Sequence, residues 1–387
     1  MRLCDFCDQR RRRKDESLDF CRSVLLFVSN HEDTWLLERE PDGPRVMAPP
    51  PAGESEYALR RVWPNDLPAE LHYTQWMTER ARMALRRFST EGRPFLLWHS
   101  FPDPHPPYTT PHPWCDRYDP ADVPPPDRRE GELDDLPPHY RLQFEERFLT
   151  SGCMGLTDIP EDHTRRMRAM TYGMVSQVDH HVGLVLEELE RLGMAENTVV
   201  VFMSDHGRCL GDHWMDNMPP AHYDETLRVP SLWRFPGHFA AGTATGALAS
   251  HLDFAPTLLE LAGVPIPEGE IPPTPECERQ RSPWPGRSLV PVLTGEVDSV
   301  QDAVIAELDE DYLGMQLRTL ITQDHWMTVY GGGREFGELY DLREDPCQLY
   351  NRWDDPNCQA VKHELQGELL YRLIETGSVL PRRLCHA

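Results

Sequence analysis

In residues 74–88, TQWMTERARMALRRF, apolar residues return with helical spacing: Trp76, Met83, Ala84 and Phe88 fall on one face and the arginines lie off it. That pattern predicts an amphipathic helix. The short apolar run RPFLLWHS (93–100) follows it and reads as a strand. A second, longer helix is predicted from Tyr172, because Val178, Val182, Val185, Leu186, Leu189 and Leu192 recur at steps of three and four. Gly193 stands where a helix end takes a left-handed residue. The run NTVVVFMS (197–204) then stays apolar up to Ser204, as expected of a central strand buried on both faces of a mainly parallel sheet. Helix followed by strand thus occurs twice, which argues for an α/β fold.

The pattern continues with a strand at SLWRF (231–235) and a helix at SHLDFAPTLLELAG (250–263), with Pro256 in its first turn and Gly263 past its end. From about residue 299 the texture changes. AVIAEL, LRTLITQDHWMTVY and FGELYDL read as short antiparallel strands, and Gln359 to Thr376 as a helix. Residues 1–70 lack clear periodicity, and residues 120–165 are acidic and punctuated by proline. The expected organisation is an irregular leader over 1–70, an α/β domain over 71–298 and a smaller α+β subdomain over 299–387.

Charge narrows the partners. Lys and Arg total 39 against 64 Asp and Glu, a formal net charge of −25, so the mean field of the chain repels a nucleic-acid backbone. The one basic run, Arg10 to Lys14, is flanked by acids and reads as a solvated leader. The longest apolar runs, VLLFV (24–28) and VVVFM (199–203), are strand-sized, far short of the roughly 20 residues that span a bilayer. No nucleic-acid or membrane partner is expected. The charged N-terminus is followed by no apolar segment of the secretory kind. Of ten cysteines only Cys4 and Cys7 have a C-x-x-C spacing. A zinc module of Cys4, Cys7 and Cys21 would explain nothing after residue 30, so free thiols and a cytoplasmic location are expected.

Chemistry gathers at the strand ends. In VVVFMSDHGRCLGDH (199–213) the apolar run stops at Ser204, and Asp205 and His206 follow at once. The strand at 93–100 ends in FPDPHPPYTTPHPW (101–114), a loop stiffened by proline with His105 in its middle. Open α/β sheets bind ligands beyond the carboxyl ends of their strands. From the residues alone two readings stand: Asp205 and His206 close a turn, or they ligate a divalent cation, the pair suiting calcium, magnesium, manganese or zinc according to the other ligands.

The segment GMVSQVDHHVGLVLEELERLGMAENTVVVFMSDHGRCLGDH, followed by HYDETLRVPSLWRFPG, resembles the sulfatase family of the alkaline phosphatase superfamily, which also contains phosphonate and phosphodiester hydrolases. FPDPHPPY, SHLDFAPTLLELAG, WPGRSLVPVLTGE and GELYDLREDP fit the same pattern in the same order, so the resemblance runs from about residue 72 to the end. It implies an alkaline-phosphatase-like fold and small-molecule sulfate or phosphonate esters as substrates. It also implies a divalent metal (calcium, manganese or magnesium) held in part by Asp205 and His206. His105 would contact the sulfate or phosphonate and help the leaving group, and all three residues would line one crevice. A cation and an imidazolium aimed at the transferring group stabilise the charge of the transition state. Asp212 and His213 belong to the motif too, either shaping the loop or touching substrate, and Arg228 reads as structural.

The departures from the family pattern are as informative. Members carry a pair of aspartates on the first strand and then a Cys- or Ser-x-Pro-x-Arg motif, whose first residue becomes the formylglycine nucleophile. Neither form of that motif occurs among the 387 residues. SVLLFVSNHEDTW (23–35) offers Asn30, His31 and Asp33 where two adjacent aspartates are expected, and its closeness to the helix at 74 argues against its being that first strand. Met218 stands where the family has a substrate-binding lysine. Losing one such contact costs about 10²- to 10³-fold in rate, and losing a nucleophile on the order of 10⁶. The expectation is a truncated or degenerate sulfatase-family hydrolase of sulfate, phosphonate or phosphodiester substrates, inactive as this chain alone, with weak, largely water-completed metal binding. The alternative is a non-catalytic sulfatase-like scaffold. His206, where many sulfatases have asparagine, leans toward the phosphonate and phosphodiester side.

Overall fold

A computed structural model describes the backbone of residues 24–26 and residues 62–141, 160–215, 221–265, 285–310 and 315–377. Cys4, Cys7, Cys21, Arg10 to Lys14, Asn30, His31, Asp33 and Met218 lie outside the described residues. In chain order the elements are β1 (Val24–Leu26), α1 (Tyr73–Glu91), β2 (Leu96–Trp98), α2 (Glu132–Asp135), α3 (Glu161–Arg191), β3 (Val200–Met203), α4 (Asp224–Leu227), β4 (Ser231–Arg234), α5 (Phe254–Leu261), α6 (Val290–Leu293), β5 (Ala303–Glu310), β6 (Met315–Thr322), β7 (His325–Tyr330), β8 (Gly333–Asp341) and α7 (Gln359–Gly377). The chain forms two compact units, one of residues 1–124 and 165–198, the other of residues 125–164 and 199–387. Among the described residues no helix is long and apolar enough to cross a membrane.

In the first unit α1 begins where the His72 ring accepts from the Thr74 N–H and ends at Gly92, whose φ of 61° lets its N–H reach the Phe88 carbonyl. Its buried face carries Thr74, Thr78, Ala81, Leu85 and Phe88. Met83 departs from the expected face and is 51% exposed. The buried stripe is centred on Ala81 and Leu85, more than a third of a turn from Met83 at about 100° per residue. Trp76, one full heptad before Met83, is buried because Leu67 packs on it. Between α1 and α3, Arg82 and Arg86 reach the buried Glu188 at 3.2 and 2.8 Å, and these arginines with Arg191 hold its carboxyl well below the usual range. The long helix starts eleven residues before Tyr172, and its early turns bury His163, Thr164 and Arg168, polar residues that hide the period. Gly193 has the expected left-handed φ, 68°.

β1 pairs in parallel with β2, Leu25 opposite Leu97. The segment expected to stand too close to the helix at 74 for a first strand therefore does form a strand, beside β2. β3 departs from its expected setting: its described partner is β4, antiparallel, with Val200 opposite Arg234 and Met203 opposite Ser231. All four of its residues are half-buried, so its continuous apolar run does not mark full burial on two faces.

The C-terminal strands form an antiparallel sheet in the order β5-β6-β7-β8. Side chains alternate across it with period two. Leu320, Met327 and Leu339 pack with Leu365 and Leu369 of α7, while Leu317, Trp326, Tyr330 and Tyr340 pack with Tyr140, Cys209, Met215 and Tyr223. The second set makes the sheet the floor beneath Cys209, Met215 and Tyr223, which flank Asp212 and His213.

Candidate active site

β3 stops at Met203 because the next side chains bond their own backbone. The Ser204 hydroxyl donates to the His206 carbonyl at 3.1 Å, and Asp205 Oδ1 accepts the His206 N–H at 2.9 Å, a turn that ends a ladder. Asp205 Oδ2 is left 3.7 Å from His206 Nε2. The other ring nitrogen, Nδ1, lies 3.0 Å from the Gly207 carbonyl. A carbonyl only accepts, so Nδ1 carries the hydrogen in the neutral ring and Nε2 keeps its lone pair. Two ligands bound to one cation at about 2.0–2.5 Å sit about 3–4 Å apart, so this pair fits neighbouring ligands of a single ion. Partial burial pushes the Asp205 carboxyl up, but the His206 N–H, the charge of the His206 ring and the Ser204 hydroxyl outweigh it and hold the group below its ordinary range. The carboxylate is 84% exposed and open to a ligand.

Behind this turn the backbone is tightly held. The Gly207 N–H donates to the Thr226 carbonyl at 2.8 Å, and a Cβ on Gly207 would stand 2.0 Å from the Glu225 carbonyl oxygen. Glycine is required for this approach to α4. In the following loop Leu210, His213 and Trp214 have φ of 49°, 54° and 63°, a conformation that costs a non-glycine residue roughly 1–2 kcal/mol. Contacts with residues 127–129 offset that cost: Asp212 Oδ1 accepts the Asp127 N–H at 2.5 Å, the His213 N–H donates to the Asp127 carbonyl at 3.0 Å, and the Trp214 indole donates to the Arg129 carbonyl at 3.0 Å.

His213 is wholly buried. Its Nδ1 lies 2.7 Å from Glu132 Oε1, its Nε2 3.4 Å from Glu225 Oε2, and its ring stacks on Tyr223 with centroids 3.9 Å apart. Burial pulls its pKa down, but the two glutamates outweigh it and push the ring up to about 10. Nδ1 is bonded to Glu132, and Nε2 is buried near the Glu225 carboxylate without a hydrogen bond to it, so neither ring nitrogen is open to solvent. Of the two readings open for Asp212 and His213, loop shaping is the one this geometry supports. Arg228 is exposed and pairs with Asp224 at 3.3 Å, one turn back.

His105 belongs to the first unit and is exposed. Its N–H donates to the Pro102 carbonyl at 2.9 Å and its Nδ1 lies 2.7 Å from the Pro106 carbonyl, leaving Nε2 as the acceptor of the neutral ring. The loop is tied down by Asp103, which is buried and accepts from the Tyr73 hydroxyl and, at 3.2 Å, from Thr74 Oγ1. Burial drives the Asp103 carboxyl up to about 6 against these hydroxyls. Asp103, Glu132 and Glu225 are supporting residues that the motifs alone did not single out. Asp103 and Glu225 lie inside quoted motifs, whereas Glu132 sits in the acidic stretch without periodicity.

The sulfatase family profile matches residues 27–264. The chain belongs to the sulfatase family. A further profile, the N-sulphoglucosamine sulphohydrolase C-terminal region, matches residues 212–375. The multifunctional alkaline phosphatase superfamily protein PehA of Trinickia caryophylli is 30% identical to this sulfatase-family chain over 91% of it and 66% of the relative. The choline-sulfatase of Rhizobium meliloti is 28% identical, over 74% of the chain and 52% of the relative. The chain thus spans about half to two thirds of the length of these relatives. Among solved structures, a phosphonate monoester hydrolase of Agrobacterium radiobacter superposes with a TM-score of 0.73 at 23% identity, over 91% of this chain and 70% of that one. That of Silicibacter pomeroyi gives 0.71 at 24%, over 89% and 68%. The fold is alkaline-phosphatase-like, α/β with a smaller C-terminal sheet-containing part, as expected.

Proposed function

We infer that this chain carries part of the site of a sulfatase-family hydrolase acting on small sulfate or phosphonate monoesters, and that alone it does not complete the reaction. The observation that carries the reading is the Asp205 Oδ2–His206 Nε2 pair, 3.7 Å apart at the end of β3, in a chain of this family. Asp205 and His206 would hold a divalent cation, which supplies positive charge to the oxygens of the transferring group when bound. His105, with one ring nitrogen committed to the Pro106 carbonyl, keeps the other free to act, by the family resemblance, as the group that would donate a proton to the leaving-group oxygen in the imidazolium form. Gly207 and α4 fix the turn that aims Asp205 and His206. No Cys- or Ser-x-Pro-x-Arg occurs in the 387 residues, so the attacking group of the family is not encoded in them. The phosphonate side is favoured by His206 in place of asparagine.

The test is turnover of 4-nitrophenyl sulfate and a 4-nitrophenyl phosphonate monoester by the purified chain with manganese or calcium, beside His105→Ala and Asp205→Ala. No multiple turnover is expected. Repeated turnover that vanishes in both variants would overturn the inactive reading and mean that another group attacks. The same missing motif favours a second reading, a non-catalytic scaffold. An open frame upstream of Met1 encoding paired aspartates and C-x-P-x-R would support the hydrolase over the scaffold.

A further inference from the structure

The turn at residues 111–117 has no part in the chemistry above, yet it gathers three metal-binding side chains. His112, Cys115 and Asp116 each offer one donor atom, an imidazole nitrogen, a thiol sulfur and a carboxylate oxygen, all within 4.8 Å of one another. His112 Nδ1 lies 2.5 Å from Asp116 Oδ2 and 3.4 Å from Cys115 Sγ.

The backbone that holds these donors is fixed by other contacts. The Trp114 and Cys115 N–H groups both donate to the Pro111 carbonyl, at 2.9 and 3.2 Å, and the Arg117 N–H donates to the Trp114 carbonyl at 3.2 Å. Pro111 bridges Asn65, whose N–H donates to the Thr110 carbonyl at 3.0 Å. α3 presses on the turn so closely that a Cβ on Gly173 would stand 2.4 Å from the Trp114 carbonyl oxygen. The His112 and Asp116 side chains are nonetheless 65% and 66% exposed, so an ion reaches them from solvent.

We propose that His112, Cys115 and Asp116 form a binding site for a borderline-soft divalent transition metal of the zinc class. One nitrogen, one sulfur and one oxygen is a donor set that zinc accepts, with water completing a tetrahedron, whereas calcium and magnesium require oxygen throughout. Zinc bonds of about 2.0–2.3 Å place tetrahedral donors roughly 3.2–3.7 Å apart. The sulfur–nitrogen separation of 3.4 Å lies in that range and the nitrogen–oxygen separation of 2.5 Å falls short of it, so rotation of the exposed His112 and Asp116 side chains about a fixed backbone is enough to open the pair around an ion. A bound ion would pin the far end of the proline-rich loop that carries His105.

The simpler explanation is a local His112–Asp116 ion pair with a thiol beside it, and cobalt distinguishes the two. The metal-stripped full-length chain is titrated with cobalt(II) and followed by the near-ultraviolet thiolate-to-cobalt band, then back-titrated with zinc. The expected result is one cobalt per chain with that band, displaced by zinc but not by calcium. The band is lost in Cys115→Ser, which is nearly isosteric and keeps the fold. Zinc affinity falls at least about tenfold in His112→Asn and Asp116→Asn, since even an outer partner of a ligand is worth 10- to 100-fold. Absence of the band, or a band of the same strength in Cys115→Ser, would overturn the proposal and leave the local ion pair.

Discussion

The Nδ1 of His213 lies 2.7 Å from Oε1 of Glu132, and neither side chain is more than 1% exposed. Eighty-one residues separate them in sequence, so this contact locks α2 to the strained loop after β3. Through Glu225, His213 also faces α4, whose Thr226 carbonyl holds Gly207. One buried imidazolium thus braces the turn that presents Asp205 and His206.

His213→Ala removes the cation and leaves Glu132 buried, the situation in which breaking a buried pair costs about 3–5 kcal/mol. Urea unfolding should show a loss of that size in the transition of the second unit. Replacing both members of the fully buried pair, as His213→Gln with Glu132→Gln, should recover part of what His213→Gln alone loses, because the buried Glu132 charge goes with its partner while Glu225 is partly exposed. A loss under about 1 kcal/mol for His213→Ala would contradict the brace.

The same group sets a pH dependence. The folded-state pKa of His213, about 10, lies above its ordinary 6.5. The stabilisation is therefore complete below about 6.5 and is lost as pH rises through about 10. Thermal midpoints measured across that window should fall with rising pH in the parent chain, and fall less in His213→Gln. Equal slopes would mean that the ring is not charged in the folded state.

Much of this architecture was legible in the pattern of residues. The helix read at 74–88, the antiparallel texture of the C-terminal strands and the glycines Gly193 and Gly263 past helix ends follow from local periodicity and from conformations few residues adopt, although the stretch LRTLITQDHWMTVY is divided between β6 and β7. What escaped the pattern depends on distant partners. The first turns of α3 bury His163, Thr164 and Arg168, polar residues that add nothing to an apolar period. β3 looked like a strand enclosed by parallel neighbours because its run is apolar, yet it pairs antiparallel with β4. Asp205 and His206 were visible from their place at a strand end, whereas the setting of His213 required Glu132, from a stretch with no periodic signal.

Gly207 gives a test of the turn that leaves its ligands untouched. A methyl group there meets the Glu225 backbone at 2.0 Å, and backbone cannot swing aside as a side-chain tip does. Gly207→Ala should cost about 1–3 kcal/mol by overpacking and weaken manganese binding at Asp205 and His206. Gly246→Ala is the control, since its added Cβ meets nothing within 4 Å. Unchanged manganese affinity in Gly207→Ala would show that the approach of α4 does not position the turn.

The last prediction concerns the strength of metal binding. Asp205 and His206 supply two donors 3.7 Å apart, and no third His, Cys, Asp or Glu among the described residues joins them as a ligand cluster. A cation that takes six to eight oxygen ligands would complete its shell with water here, so calorimetric titration with calcium or manganese should give binding no tighter than about 10⁻⁴ M, the weak end of the range for calcium sites. Manganese should be preferred over calcium, because an imidazole ligand suits the transition metal better than the harder ion. Asp205→Ala removes the only charged donor of the pair and should abolish the heat. His206→Asn keeps an oxygen donor in place of the imidazole and should narrow the preference for manganese. Submicromolar binding lost in Asp205→Ala would instead mean that His31, Asp33 or other residues of this chain complete the shell, and the half-site reading would give way to a full one.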